Sequence, residues 1–146
     1  MKIALLGNPN TGKSSIFNLL TGMRQKVGNF PGVTVEKKTG FCFNGNEKIE
    51  IIDFPGTYSL NPRSVDEKVV SSTLNDPQHP DYPDLIMAVL DASRIENNLF
   101  LFTQLYEFKQ PIILVLNMTD LAKKQGVYID IEALKKQFPD ITVIQT

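Results

Sequence analysis

Apolar residues in this chain alternate between short continuous runs and stripes at helical spacing. Ile3 to Leu6 is a brief apolar run closed by Gly7, the pattern of a strand buried on both faces. After a loop over 7–12, Ile16, Phe17, Leu20 and Met23 recur at helical spacing, which predicts a helix from about Lys13 that stops near Gly22. Residues 24–37 carry Gly28, Pro31 and Gly32 without a clear period, and read as a long loop. Gly40-Phe41-Cys42-Phe43 and Ile49-Glu50-Ile51-Ile52 flank Asn44-Gly45-Asn46. That pattern predicts an antiparallel hairpin, with a type I′ turn needing positive φ at both central residues.

Asp84 to Leu90 and Pro111 to Leu116 are two further buried-strand runs, separated by a helical stripe of Ile95, Leu99, Phe102 and Tyr106. Ile131, Leu134 and Phe138 form another stripe, followed by a short strand over Ile141 to Ile144. The proline-rich stretch from Asn75 to Pro83 is a loop. This alternation predicts an α/β domain over residues 1–146, with a mostly parallel sheet, one antiparallel edge hairpin and helices on both faces.

Composition narrows the class. With 42% hydrophobic and 21% charged residues, the chain is globular rather than disordered. Fifteen Lys and Arg against sixteen Asp and Glu leave a net charge of −1, so no nucleic-acid partner is expected. Cys42 is the single cysteine, which excludes an internal disulfide and suits a reducing cytosol; it reads as a small buried hydrophobe. No apolar run approaches the ~20 residues of a membrane-spanning helix. A soluble cytosolic domain is the expectation.

The candidate chemistry lies in three short motifs. Gly7-Asn8-Pro9-Asn10-Thr11-Gly12-Lys13-Ser14 is G-x-x-x-x-G-K-S, between a predicted strand and a predicted helix. In such a loop, backbone N–H groups and the helix N-terminus face phosphate oxygens. Lys13 would neutralise β- and γ-phosphates, and the Ser14 hydroxyl would hold magnesium. Asp53-Phe54-Pro55-Gly56 ends a buried strand, which suits an aspartate on the magnesium side and a Gly56 N–H facing the γ-phosphate. Asn117-Met118-Thr119-Asp120 follows another buried strand, at the kind of strand end where open α/β sheets bind ligands. One carboxylate, Asp120, can accept from guanine N1–H and the 2-amino group together, a donor pair that adenine lacks. Asn117 would help fix the ring, and the Met118 side chain can cover it. The same tetrapeptide also suits a plain helix N-cap.

In this order the motifs resemble the Ras-like P-loop GTPase fold. Asn8 to Ser14, Phe17 to Gly22, Val27 to Glu36 and Pro55 to Leu60 are similar to the GTPase domain of bacterial ferrous iron transporter B. Asp66-Glu67, Asp91-Ala92-Ser93 and Asn97-Asn98-Leu99 fit that pattern too. The resemblance implies a slow GTPase switch that uses GTP, GDP and magnesium and controls ferrous iron uptake. It implies that Gly32, Val33, Thr34, Val35 and Glu36 form switch I, with Thr34 closing over magnesium and the γ-phosphate. Asp53 to Leu60 would begin switch II. Asn10 would help coordinate potassium, whose charge would replace an arginine finger. Lys13, Thr34, Asn10 and Gly56 would then carry the catalysis. The family's partners are a helical regulatory domain and a transmembrane iron-transport domain, so the full-length protein is expected in the bacterial inner membrane, facing the cytoplasm.

The sequence departs from the pattern in places. Thr57 stands where many Ras-like proteins carry a water-orienting glutamine. Arg63 and Arg94 read as solvated, as does His79 in a stretch over 76–83 that looks longer than usual. Phe54 replaces the more frequent leucine, and Met118 a frequent lysine. The chain ends at Thr146, before the family's last base-binding loop and final helix, so a trimmed or excised domain with an uncovered sheet face is expected. Three alternatives stand beside this reading: a potassium-dependent GTPase of ribosome assembly or RNA modification, a nucleotide sensor with negligible turnover, and an ATP-using P-loop enzyme, which Asp120 disfavours.

Overall fold

The strand ends that carry the three sequence motifs line up along one rim of a single sheet. In the computed structural model, which describes all 146 residues, the elements in order are β1 (Lys2–Gly7), α1 (Lys13–Thr21), β2 (Gln25–Asn29), β3 (Glu36–Asn44), β4 (Glu47–Asp53), α2 (Val65–Asn75) and β5 (Leu85–Asp91). A short 3-10 turn (Ala92–Arg94) follows, then α3 (Ile95–Tyr106), β6 (Ile112–Asn117), α4 (Thr119–Lys124), α5 (Ile131–Gln137) and β7 (Thr142–Gln145). The sheet has seven strands in the order β2-β3-β4-β1-β5-β6-β7. β4, β1, β5, β6 and β7 run parallel, and β2-β3-β4 is antiparallel. The registers set Leu5 opposite Asp53, Gly7 opposite Val89, and Asp91 opposite Asn117. The C-terminal ends of four strands therefore converge on one rim.

Alternation along the strands sends side chains to two cores. Ile3, Leu5, Ile51, Met87, Val89 and Val115 meet Ile16 and Phe17 of α1 on one face. Leu6, Ile52, Phe54, Ile86, Leu114 and Leu116 meet α2 and α3 on the other, through Val70, Leu101, Phe102 and Leu105. Each fully buried large side chain contributes about 1.5–3 kcal/mol relative to exposure. Gly22 ends α1 at φ +61, with its N–H on the carbonyl of Asn18, as its place after the apolar stripe predicts.

Four expectations need correction. The stretch read as loop over 24–37 contains β2, which pairs with β3 from Gln25 opposite Gly40 to Asn29 opposite Glu36. All five of its residues are exposed, so an edge strand held by backbone bonds alone carried no hydrophobic period to read. The antiparallel region is thus a three-stranded meander rather than one hairpin. In the β3–β4 turn, Asn44 is still strand, opposite Glu47, and positive φ falls on Gly45 alone, as in a type II′ turn. The helix α2 lacks a strong apolar stripe but has a polar start signal. Ser64 Oγ accepts the Glu67 N–H at 3.2 Å, while Glu67 reaches back to the Arg63 N–H at 2.7 Å. Cys42 is half-buried beside the α1 core rather than enclosed by it. No helix is long and apolar enough to cross a membrane.

Candidate functional site

The loop between β1 and α1 is shaped by two residues in the left-handed region, Asn10 (φ +63) and Gly12 (φ +83). Gly12 is the N-cap of α1, and no side chain caps the helix there. The first N–H groups of a helix have no internal partners, and they carry the positive end of its dipole. Here they open on a cavity of about 360 Å³ whose lining includes Asn8, Asn10, Lys13, Ser14, Ser15 and Gly56, with no large apolar side chain. Close approach favours glycine in this turn: a Cβ at Gly7 would sit 2.4 Å from the Val89 carbonyl oxygen. A Cβ at Gly12 would sit 2.2 Å from Asn117 Nδ2, and one at Gly56 would sit 3.0 Å from the Pro9 backbone. This arrangement can hold an anion against the turn.

Lys13 and Asp53 meet at the cavity. The Lys13 ammonium forms an ion pair with the Asp53 carboxylate and donates to the Phe54 carbonyl at 2.6 Å, with both side chains largely shielded from solvent. Two backbone bonds hold this segment to β1: Phe54 N–H to the Leu5 carbonyl and Thr57 N–H to the Gly7 carbonyl, each 3.1 Å. A phosphate entering the cavity would have to replace Lys13's contacts with Asp53 and Phe54. Ser14 lies exposed in the first turn of α1, next to this pair.

Asn117 spans two parts of the site. Its Nδ2 donates to the Thr11 carbonyl at 2.9 Å, and its Oδ1 accepts from Thr146 Oγ1 at 2.7 Å. The Thr146 carbonyl in turn accepts from Thr119 N–H at 3.0 Å and Thr119 Oγ1 at 2.8 Å. Met118 takes φ +61 just before α4, close to Gly12, and Asp120 is exposed in the first turn of α4. The tetrapeptide does start a helix. The Asn117 side chain, however, bonds to the β1–α1 loop and to the end of β7 instead of capping it.

The segment over 30–36 is closed on itself by Phe30 N–H to the Val35 carbonyl (3.0 Å) and Val33 N–H to the Phe30 carbonyl (3.3 Å). Val35 is buried and Val33 half-buried, while Gly32, Thr34 and Glu36 face solvent. Thr34 makes no side-chain hydrogen bond, so the structure does not bring it to Ser14 or Asp53. Pro55 is half-buried beside Lys13. Thr57 is fully buried, its hydroxyl donating to the Ser59 carbonyl at 2.7 Å. It turns away from the cavity. Arg63 and Arg94 are exposed, as the sequence suggests. His79 accepts the Asp81 N–H at Nδ1.

Two contributors escaped the sequence reading. Thr146, which fixes Asn117 and Thr119, carries no pattern beyond being a polar residue at a strand end. Asn97 supplies the carbonyl that Asn8 Nδ2 reaches at 3.3 Å, leaving the Asn8 Oδ1 buried without a partner. Only the adjacent Asn97-Asn98 pair hinted at a role there.

The sheet order, the uncapped glycine-rich turn and the rim of Lys13, Asp53 and Asn117 define a G domain of the Ras-like P-loop fold. The family model described as ferrous iron transport protein B matches residues 1–146. A Porphyromonas gingivalis Fe(2+) transport protein A/FeoB fusion protein is 46% identical over 134 residues, covering 92% of this chain and 16% of that protein. The Salmonella typhimurium Fe(2+) transporter FeoB is 42% identical over the whole chain and 19% of its own length. Among solved structures, the G domain of T. maritima FeoB aligns over 100% of this chain and 86% of that one, with TM-score 0.87 and 42% identity. A GDP-bound variant of S. thermophilus NFeoB aligns over 100% and 55%, with TM-score 0.88 and 43% identity. The chain belongs to the ferrous iron transport protein B family. It spans less than a fifth of the length of these curated relatives.

Proposed function

We propose that this chain binds guanine nucleotide and hydrolyses GTP slowly, as the switch domain of a protein that moves ferrous iron across a bacterial inner membrane. The observation that carries the reading is the convergence, on one cavity, of the uncapped α1 N-terminus and Lys13, with Asn117 bonded to the same turn. The GDP held by the related S. thermophilus protein supports it.

In this reading the N–H groups of Gly12, Lys13 and Ser14 donate to phosphate oxygens, and the Lys13 ammonium exchanges Asp53 for the β- and γ-phosphates. Gly7, Asn8, Pro9, Asn10 and Thr11 shape the turn. Gly56 N–H donates to the γ-phosphate, and Thr34 is drawn in with Gly32, Val33, Val35 and Glu36. Phe54 and Pro55 hold Asp53 and Gly56 in place. Asp120 accepts from the guanine N1–H and 2-amino groups, Met118 covers the ring, and Asn117 and Thr119 brace it. Water then attacks the γ-phosphorus in line, with charge stabilisation as the main source of rate.

The donor sets suit two cations. Ser14, Thr34 and Asp53 offer hydroxyl and carboxylate oxygens, which a hard divalent ion such as magnesium takes. Asn10, exposed at the cavity edge with a free amide oxygen, suits potassium. When bound, the two ions supply positive charge beside the phosphates. In the longer protein, a helical regulatory domain and a transmembrane iron-transport domain are the partners, with this domain on the cytoplasmic side. Membership in the iron-transport family replaces the RNA-related alternative. The buried Thr57 and the exposed Arg63 and Arg94 favour slow turnover.

Phosphate release from Mg·GTP, in KCl and in NaCl at equal ionic strength with Mg·ATP as control, tests the reading. GTP-selective release that is faster in potassium is expected. Equal rates in both salts would remove the Asn10 cation, and binding without release would leave a nucleotide sensor.

A further inference from the structure

The two ends of the 30–36 segment are held by different forces. At its start, the Phe30 ring is buried against Phe54. At its end, Lys37 forms an ion pair with Asp81, from the proline-rich loop between α2 and β5. The Lys37 ammonium also lies 5.9 Å from the centre of the Phe30 ring. Asp81 sits in the stretch over 76–83, away from the cavity at the β1–α1 turn.

The Asp81 side chain is 3% exposed, and its Oδ2 is buried with no hydrogen-bond partner. Lys37 is therefore the group that compensates a buried charge. A buried carboxylate that loses its cation keeps the full desolvation cost, so parting Lys37 from Asp81 is costly while the residues before Lys37 move. The loop carrying Asp81 is itself tied down. Asp81 N–H donates to His79 Nδ1 at 3.0 Å, Tyr82 N–H to the His79 carbonyl at 3.0 Å, and Lys2 N–H at the head of β1 donates to Asp84 at 2.7 Å. Lys37 stands in β3 opposite Gly28 of the exposed edge strand β2, and through Asp81 its side chain is also fastened to the loop that Asp84 ties to the head of β1.

We infer that Lys37 and Asp81 are positioning residues for Thr34: their buried ion pair anchors the C-terminal hinge of the 30–36 segment, so that closure over a triphosphate orders only that segment. The inference rests on the proposed function, in which Thr34 meets the γ-phosphate. Neither residue lines the cavity at the β1–α1 turn, so on this inference their effect falls on the triphosphate state alone. Without the anchor, a longer stretch must be ordered on closure, at a greater entropic cost.

The test compares Asp81→Asn, Lys37→Met, the double variant and Lys37→Arg with the unaltered chain. The readouts are affinities for fluorescent GDP and for a non-hydrolysable GTP analogue, with kcat and KM for GTP. Each of the first two substitutions is expected to weaken the GTP analogue about tenfold and leave GDP within about twofold, and the double variant to be no worse than either. Lys37→Arg, which keeps the cation, should stay close to the unaltered chain. Parallel weakening of GDP and the analogue would mean that the pair only supports the fold, and would overturn the inference; so would no change in either. Should Lys37→Met not fold, Asp81→Asn decides, because it removes the buried charge itself. If the unaltered chain binds neither nucleotide, the proposed function falls. Amide exchange over residues 30–38 still reads the anchor, and must be faster in Asp81→Asn for the hinge to stand.

Discussion

The rings of Phe30 and Phe54 lie 5.2 Å apart, with their planes tilted by 34°. Both are almost wholly buried. This pair joins the start of the 30–36 segment to the Asp53-Phe54-Pro55-Gly56 turn, so the two candidate switches share one piece of core. Phe54→Ala should cost about 3–5 kcal/mol of stability, since it removes a buried aromatic and leaves a cavity. Phe54→Leu should cost about 1 kcal/mol and preserve nucleotide binding. Urea unfolding of both variants measures the difference.

Lys13→Ala should weaken GDP binding by about ten- to a hundredfold, the range expected for losing hydrogen bonds to a charged group. Isothermal titration with GDP reads this directly. An affinity unchanged by the substitution would mean that the ammonium stays on Asp53 when nucleotide binds.

Gly12→Ala should disable the site without touching a ligand. Its Cβ would fall 2.2 Å from Asn117 Nδ2 at a φ of +83. The left-handed backbone alone costs an alanine about 1–2 kcal/mol. Loss of GDP binding with a lowered melting temperature is the expected outcome.

Asp120→Asn should exchange guanine for xanthine preference. Xanthine carries a carbonyl where guanine carries its amino group, so a donor at position 120 suits it better than an acceptor. Competition between GDP and xanthosine diphosphate checks this, with a shift of about tenfold expected from one reversed polar contact to a charged group. An unaltered preference would remove Asp120 from base recognition.

Thr57→Gln should not restore a water-orienting group, although the position in the motif invites the substitution. The Thr57 side chain is fully buried and bonded to the Ser59 carbonyl. A larger side chain there should cost about 1–3 kcal/mol through overpacking. Single-turnover GTP cleavage should be no faster than in the unaltered chain.

Much of the fold was legible because the central strands β1, β5 and β6 are continuous apolar runs, and because turn chemistry is local. Gly7 to Ser14 encodes its own left-handed turn and helix start, and Asp53 and Asn117 sit where apolar runs end. The edge strand β2 was not legible, since its exposed Gln25-Lys26-Val27-Gly28-Asn29 owes its conformation to backbone bonds with β3. The α2 start was encoded in Ser64 and Glu67, but as a capping pattern rather than an apolar period.

The sequence by itself determined which residues could perform phosphate and base chemistry, and on which strand ends they stand, because spacing and residue type set local backbone geometry. Only the tertiary structure decided what those residues touch. Lys13 meets Asp53, Asn117 ties Thr11 to Thr146, Thr57 turns inward, and Lys37 finds Asp81. Apart from Thr57, each of these contacts joins segments far apart in the chain. Such partners are set by strand register and sheet order, which arise from packing the whole sheet at once and leave no local trace.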